Sequence, residues 1–163
     1  MASASTAVSQ VRSPQEIETV RTLFLEYAAE RGLDLEFQGF GTEVATLPGA
    51  YAPPRGILLL ACADGVPVGC VGVRHSEPDV AELKRLYLRS AGRGSGLGRT
   101  LVTTALEWAR VSGYRRIRLD TVPGMEVAQR LYRSLGFREI PAYRHNPIPG
   151  VKFFELDLAA LPR

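Results

Sequence analysis

The chain has 163 residues, 45% of them hydrophobic and 23% charged, with a formal net charge of +3 at neutral pH. That length suits one domain with a substantial core, and so small a charge excess gives no argument for nucleic acid binding. No run reaches the roughly 20 apolar residues of a membrane-spanning helix, and MASASTAVSQ lacks a basic segment followed by an apolar one, so a cytoplasmic protein with no membrane partner is expected.

Residues 1–7 read as a disordered tail. Ser13-Pro14-Gln15-Glu16 then supplies an N-cap, a proline at the first helical position and a glutamate that completes a capping box. Ile17, Val20, Phe24, Tyr27 and Ala28 recur on one face of the helix it starts, and Gly32 is placed to end it. A short second helix is predicted over Thr42 to Leu47, before Pro48 and Gly49. Ile57 to Cys62 and Val66 to His75 are β-rich runs around Ala63-Asp64-Gly65, which predicts an antiparallel hairpin. Cys62 and Cys70 lie inside these runs without CxxC spacing, which favours buried free thiols over a redox pair or a metal site.

Val80 to Leu88 (VAELKRLYL) reads as a third strand. A glycine-rich run follows, then a helix from Gly98 to Ser112, a strand from Tyr114 to Thr121, and a helix from Met125 to Leu135 stopped by Gly136. Strands beginning at Phe137 and spanning Val151 to Leu158 complete the chain. With no internal repeat or linker, the elements describe one α/β domain with a mixed sheet.

Arg93-Gly94-Ser95-Gly96-Leu97-Gly98-Arg99 is the most informative segment. Gly94, Gly96 and Gly98 let the backbone turn tightly and present N–H groups to an anion, and the following helix adds free N–H groups and a positive dipole end. Alone, such a run is equally a loop that uses glycine for its turns. Of the 20 basic residues only Lys84 and Lys152 are lysines, and Arg85, Arg89, Arg93 and Arg99 are expected to gather around this loop. No Gly-Lys-Ser/Thr follows, and Arg99 disrupts a dinucleotide fingerprint, so both nucleotide-loop readings weaken.

Arg93 to Gly98 resembles the Arg/Gln-x-x-Gly-x-Gly/Ala signature of the GCN5-related N-acetyltransferase (GNAT) superfamily. Ala128-Gln129-Arg130-Leu131-Tyr132-Arg133-Ser134-Leu135-Gly136-Phe137 resembles its next helix and turn. The resemblance covers about residues 8 to 160. It implies a single acetyltransferase domain over 8–160, with a mixed, mostly antiparallel sheet flanked by about four helices and a V-shaped splay at the central strand. It also implies acetyl-CoA as co-substrate with no metal. Arg93, Gly94, Ser95, Gly96, Leu97, Gly98, Arg99 and Ala128 would hold the cofactor, and the strand at Leu86, Tyr87 and Leu88 would pair with its pantetheine amides and offer an N–H to the oxyanion. Met125 departs from the family, which often has asparagine there.

Acetyl transfer to an amine needs a proton acceptor, because an alkyl ammonium with a pKa near ~10 is protonated at neutral pH. By resemblance Glu82 is the base; it would share a face with Lys84, Leu86 and Leu88 in an unbroken strand. The alternative for Glu82 is an ion pair with Lys84 or a nearby arginine. Tyr132 is by resemblance the donor to the departing thiolate, and otherwise a core tyrosine. The acceptor would approach near Glu26, Phe37, Phe40 and Tyr143 to Asn146, and Asp120 and Thr121 either orient it or cap the next helix. A small-molecule amine or amino-acid-like acceptor is expected. A protein lysine or N-terminus, or a non-catalytic acyl-CoA sensor, stand as alternatives, and homodimers are common among proteins of this kind.

Overall fold

The structure, a computed structural model, describes residues 4–162. Its sheet begins with a strand that composition does not predict. Thr6–Gln10 (β1) carries mostly small and polar side chains, and forms because it pairs antiparallel with Ile57–Ala63 (β2) over five positions. Thr6 and Ala7 therefore belong to the fold, the Ser5 N–H donates to Asp64, and residues 1–3 of the expected tail lie outside the described residues.

The predicted capping box forms. Glu16 N–H donates to Ser13 Oγ at 3.1 Å, Ser13 N–H donates to the Glu16 carboxylate at 3.0 Å, and they open the helix Pro14–Arg31 (α1), which Gly32 ends in the left-handed region. The second helix is Phe40–Ala45 (α2), two residues earlier than predicted, because Gly39 at φ 70° turns the chain directly into it and Phe40 is drawn into the core.

β2 and Val66–Glu77 (β3) make the expected hairpin, with Asp64 and Gly65 both at positive φ as a tight two-residue turn requires. Val80–Leu88 (β4) pairs antiparallel with β3. After it come Leu97–Val111 (α3), Arg116–Thr121 (β5), Glu126–Ser134 (α4), Arg138–Ile140 (β6) and Lys152–Asp157 (β7). The sheet order is β1-β2-β3-β4-β5-β7-β6, with every neighbouring pair antiparallel except β4 and β5.

Two apolar clusters sandwich the sheet. Leu97, Leu101, Ala105 and Leu106 of α3 pack on Val71, Val73, Leu83 and Ile117. On the other face, Val20, Leu23, Phe24 and Tyr27 of α1 join Phe40, Tyr51, Leu58 and Tyr87. Cys70 is buried, Cys62 half-buried, and both are free thiols.

Candidate active site

The site is set by a failure of strand pairing. Parallel β4 and β5 are in register only at Val80–Arg116, Ala81–Ile117 and Glu82–Arg118, although β4 runs on to Leu88 and β5 to Thr121. Beyond Glu82 the two strands splay and leave unpaired backbone N–H and C=O groups facing a gap, which an extended ligand can satisfy. Within that gap Arg85 adopts φ 62°, and the register against β3 slips between Cys70 and Gly72.

This bulge breaks the alternation assumed from sequence. Ala81, Leu83, Leu86 and Leu88 pack toward α3, whereas Tyr87 packs in the cluster of α1 and α2. Glu82 and Lys84, opposite Arg74 and Gly72 of β3, lie on the α1 side with Tyr87. Glu82 therefore does not share a face with Leu86 and Leu88.

The glycine-rich loop starts α3 at the open end of the splay. Gly94 and Gly96 have φ of 75° and 82°, and Gly96 caps α3; Leu97 N–H donates to Ser95 Oγ at 3.4 Å, and the next first-turn N–H groups are directed out of the helix. A Cβ at Gly98 would stand 3.3 Å from Leu88 Cδ1, a tight contact that would push the Leu88 side chain aside, so this turn lies close against β4. Free helix N–H groups, a positive dipole end and a glycine backbone suit a pyrophosphate. Arg99 adjoins them and donates to Ser134 Oγ at 2.8 Å. Arg93 pairs with Glu30 and donates to the Leu88 carbonyl, and Arg89 pairs with Glu26 at 2.5 Å. Arg85 does not join this group. It is buried under Phe40 and clamped by Glu43 at 2.9 Å and Gln38 at 2.9 Å.

A small pocket lies in the splay. Leu83, Lys84, Arg85 and Leu86 of β4 line it with Leu119, Asp120 and Thr121 of β5, and Tyr27, Met125 and Tyr132 close it. Ala128 packs against both apolar clusters beside it. Tyr132 is buried against Phe137 and Phe154, and that burial pushes its phenol well above the usual tyrosine range. Met125 stands at the N-terminus of α4 and makes no side-chain cap. Lys84 is buried as well. It donates to Gln38 Oε1 at 3.0 Å and lies 3.6 Å from Asp120, and desolvation brings its pKa down to about 7.

Glu82 is engaged rather than free. Arg74 donates to its Oε1 at 2.9 Å, Tyr143 donates to its Oε2 at 2.8 Å, and Arg144 pairs with the same oxygen. The ion-pair alternative for Glu82 is thus the arrangement present, with arginines rather than Lys84. The Tyr143–Asn146 segment does reach the site: Arg144 Nε is 3.6 Å from Asp120, and Asn146 donates to Asp120 at 3.2 Å. Phe37 is exposed, Phe40 covers the core, and Glu26 serves Arg89 beside the glycine loop. Arg74 was missed because it sits in β3, far along the chain from any motif; its pairing opposite Glu82 is visible only once strand register is known.

The sequence model of the acetyltransferase (GNAT) family matches residues 18–137. An uncharacterised N-acetyltransferase of Schizosaccharomyces pombe is 39% identical over 155 residues, covering 94% of this chain and 95% of the relative. Human N-acetylaspartate synthetase is 37% identical over 112 residues, which are 68% of this chain and 37% of that longer protein. Among solved structures, the Salmonella typhimurium protein yncA, determined with its cofactor acetyl-CoA, superposes with a TM-score of 0.65 at 19% identity, covering 94% of each chain. The splayed β4–β5 pair, the glycine turn and these likenesses agree: the chain is an N-acetyltransferase and belongs to the GNAT family.

Proposed function

We propose that the protein transfers an acetyl group from acetyl-CoA to the primary amine of a small, amino-acid-like acceptor by direct attack within the β4–β5 splay. Acetyl-CoA supplies the activated acyl group as a thioester. Arg93 to Arg99 would hold its pyrophosphate through backbone N–H groups and Arg99, Ala128 would lie along its path, and Leu86, Tyr87 and Leu88 would pair with its amides. Tyr132, at the pocket wall, would donate a hydrogen bond to the departing sulfur.

The observation that supports the acceptor class is the cluster of guanidinium groups around Glu82, at the closed end of the splay on the α1 side of the sheet. Arg74 and Arg144 stand there over Glu82, with Arg118 paired to Glu155 at 2.7 Å and stacked near Tyr143. Guanidinium groups held in this way are suited to a substrate carboxylate, which they can grip with two parallel hydrogen bonds. A peptide acceptor would place neutral amides there instead. The relationship to N-acetylaspartate synthetase supports a free amino acid. In this reading Glu82 fixes the two arginines and is a positioning residue.

The test is thiol release from acetyl-CoA with a panel of free amino acids, their amides, simple alkylamines and lysine-containing peptides. Free amino acids should exceed their amides by at least tenfold in kcat/KM. Equal rates with amides or peptides would refute the acceptor class.

A further inference from the structure

We infer that the ε-amino group of Lys84 is the proton acceptor for the incoming ammonium, the role first expected of Glu82. The inference rests on the acetyl-transfer reading above. Lys84 lines the splay pocket with Tyr132 and with Asp120, whose carboxylate already accepts from Asn146, whereas Glu82 accepts from Arg74 on one oxygen and from Tyr143 on the other and is paired with Arg144.

The surroundings of the amine favour its neutral form. An ammonium carries three N–H donors, yet among the described residues Nζ makes a single hydrogen bond, to Gln38 beyond the end of α1, and its distance to Asp120 of β5 is too long for a second. Its side chain is 2% exposed. Arg85 beside it on β4 and Arg74 on β3 oppose its charge, while Asp120 and Glu43 of α2 favour it. Glu82 on the same face is neutralised by its own arginines, Arg144 comes from the segment before β7, and Tyr27 of α1 and Tyr132 of α4 complete the wall. A neutral amine in such a place keeps a lone pair that solvent does not occupy, on a side chain that lines the pocket.

The proton balance is simple. The acceptor ammonium N–H bond breaks and its proton binds Lys84 Nζ, freeing the nitrogen lone pair. The C–N bond to the acyl carbon forms and the C–S bond breaks. The second proton lost from the nitrogen reaches the sulfur to give the thiol, and Lys84 returns its proton to solvent.

Because the chain has only two lysines, Lys84 and Lys152, lysine labelled with ¹³C at Cε gives two signals. The signal lost in Lys84→Met should titrate between pH 6 and 8 in the free protein, a readout independent of turnover. In steady state, kcat/KM of the parent should fall below about pH 7. Lys84→Met should lose that limb together with about 10²-fold in rate. Lys84→Arg keeps a cation but cannot deprotonate, and should be as slow as Lys84→Met. Circular dichroism melts check that both variants fold. Glu82→Gln should keep the limb, as a positioning residue does. A Lys84 signal that stays charged through pH 8, or an active parent whose Lys84→Met retains the limb, overturns the assignment alone. A parent that acetylates no amine overturns the acetyl-transfer reading, and the base falls with it.

Discussion

Glu82→Gln tests the acidic node between the arginines, and its size can be worked from the contacts. The Glu82 side chain is 3% exposed and holds Arg74 through Nε and Nη2 at 2.9 Å, with Arg144 and the Tyr143 hydroxyl on its other oxygen. Removing the charge leaves two guanidinium groups, 22% and 25% exposed, without their counterion. Loss of one partner of a buried ion pair costs about 3–5 kcal/mol. Gln retains a carbonyl acceptor for one arginine and the arginines keep partial contact with water, so the expected loss is about 2–3 kcal/mol. For a domain of this length that lowers Tm by roughly 4–12 °C. Urea melts of Glu82→Gln, Arg144→Met and the double variant measure it, and the double variant should be more stable than the two single losses predict, because removing Arg144 relieves the uncompensated charge. A Glu82→Gln loss below about 0.5 kcal/mol, or strict additivity, would refute the clamp, since such values are those of an exposed pair.

Gly98→Val places branched carbons against Leu88 and should weaken coenzyme A binding at least tenfold in calorimetry while changing Tm little; unchanged affinity would remove the loop from the cofactor site. Tyr132→Phe should keep its melting temperature and lower kcat with little change in KM for the acceptor, and an unchanged kcat would leave Tyr132 a packing residue. The Lys84 ammonium is disfavoured by folding, so the unfolded chain binds more protons between pH 7 and 10; parent stability should rise over that interval relative to Lys84→Met, and parallel profiles would contradict its burial. Burial is the largest single influence on Glu43 and raises its pKa, but the Arg85 hydrogen bond and charge, with Lys84 and the Tyr51 hydroxyl, together outweigh it and lower the pKa. Glu43 therefore contributes stability above its ordinary value of 4.5 that is lost as pH falls through the folded value, and Arg85→Met should flatten the acid limb of the melt.

The elements that sequence resolves well here are those whose signals are local. Ser13 to Glu16, the turn at Asp64-Gly65 and the glycines before α3 each act through their immediate neighbours, and each is found where predicted. β1 was not legible because its short, mostly polar run gains its strand character from pairing with β2. The faces of β4 were misassigned after Lys84 because a single left-handed residue, Arg85, shifts the alternation, and nothing in the residue type announces it. For the site, motif and order place the glycine turn before α3 and Tyr132 beside the pocket, whereas the partners of Glu82 come from β3 and from the segment before β7, 8 and 61 or more residues away. Such contacts depend on register and chain path, which spacing does not encode.

The β4–β5 joint also has a mechanical meaning. Among the described residues, three register pairs are all the strand pairing that joins the four strands on one side of the sheet to the three on the other along that seam. The sheet is thus two plates riveted at one end, and a long molecule lying in the crack would touch both and act as the missing fasteners. Amide exchange at Leu119 to Thr121 should slow when the crack is filled, while exchange in the β2–β3 hairpin stays as it was, so the seam itself would report occupancy.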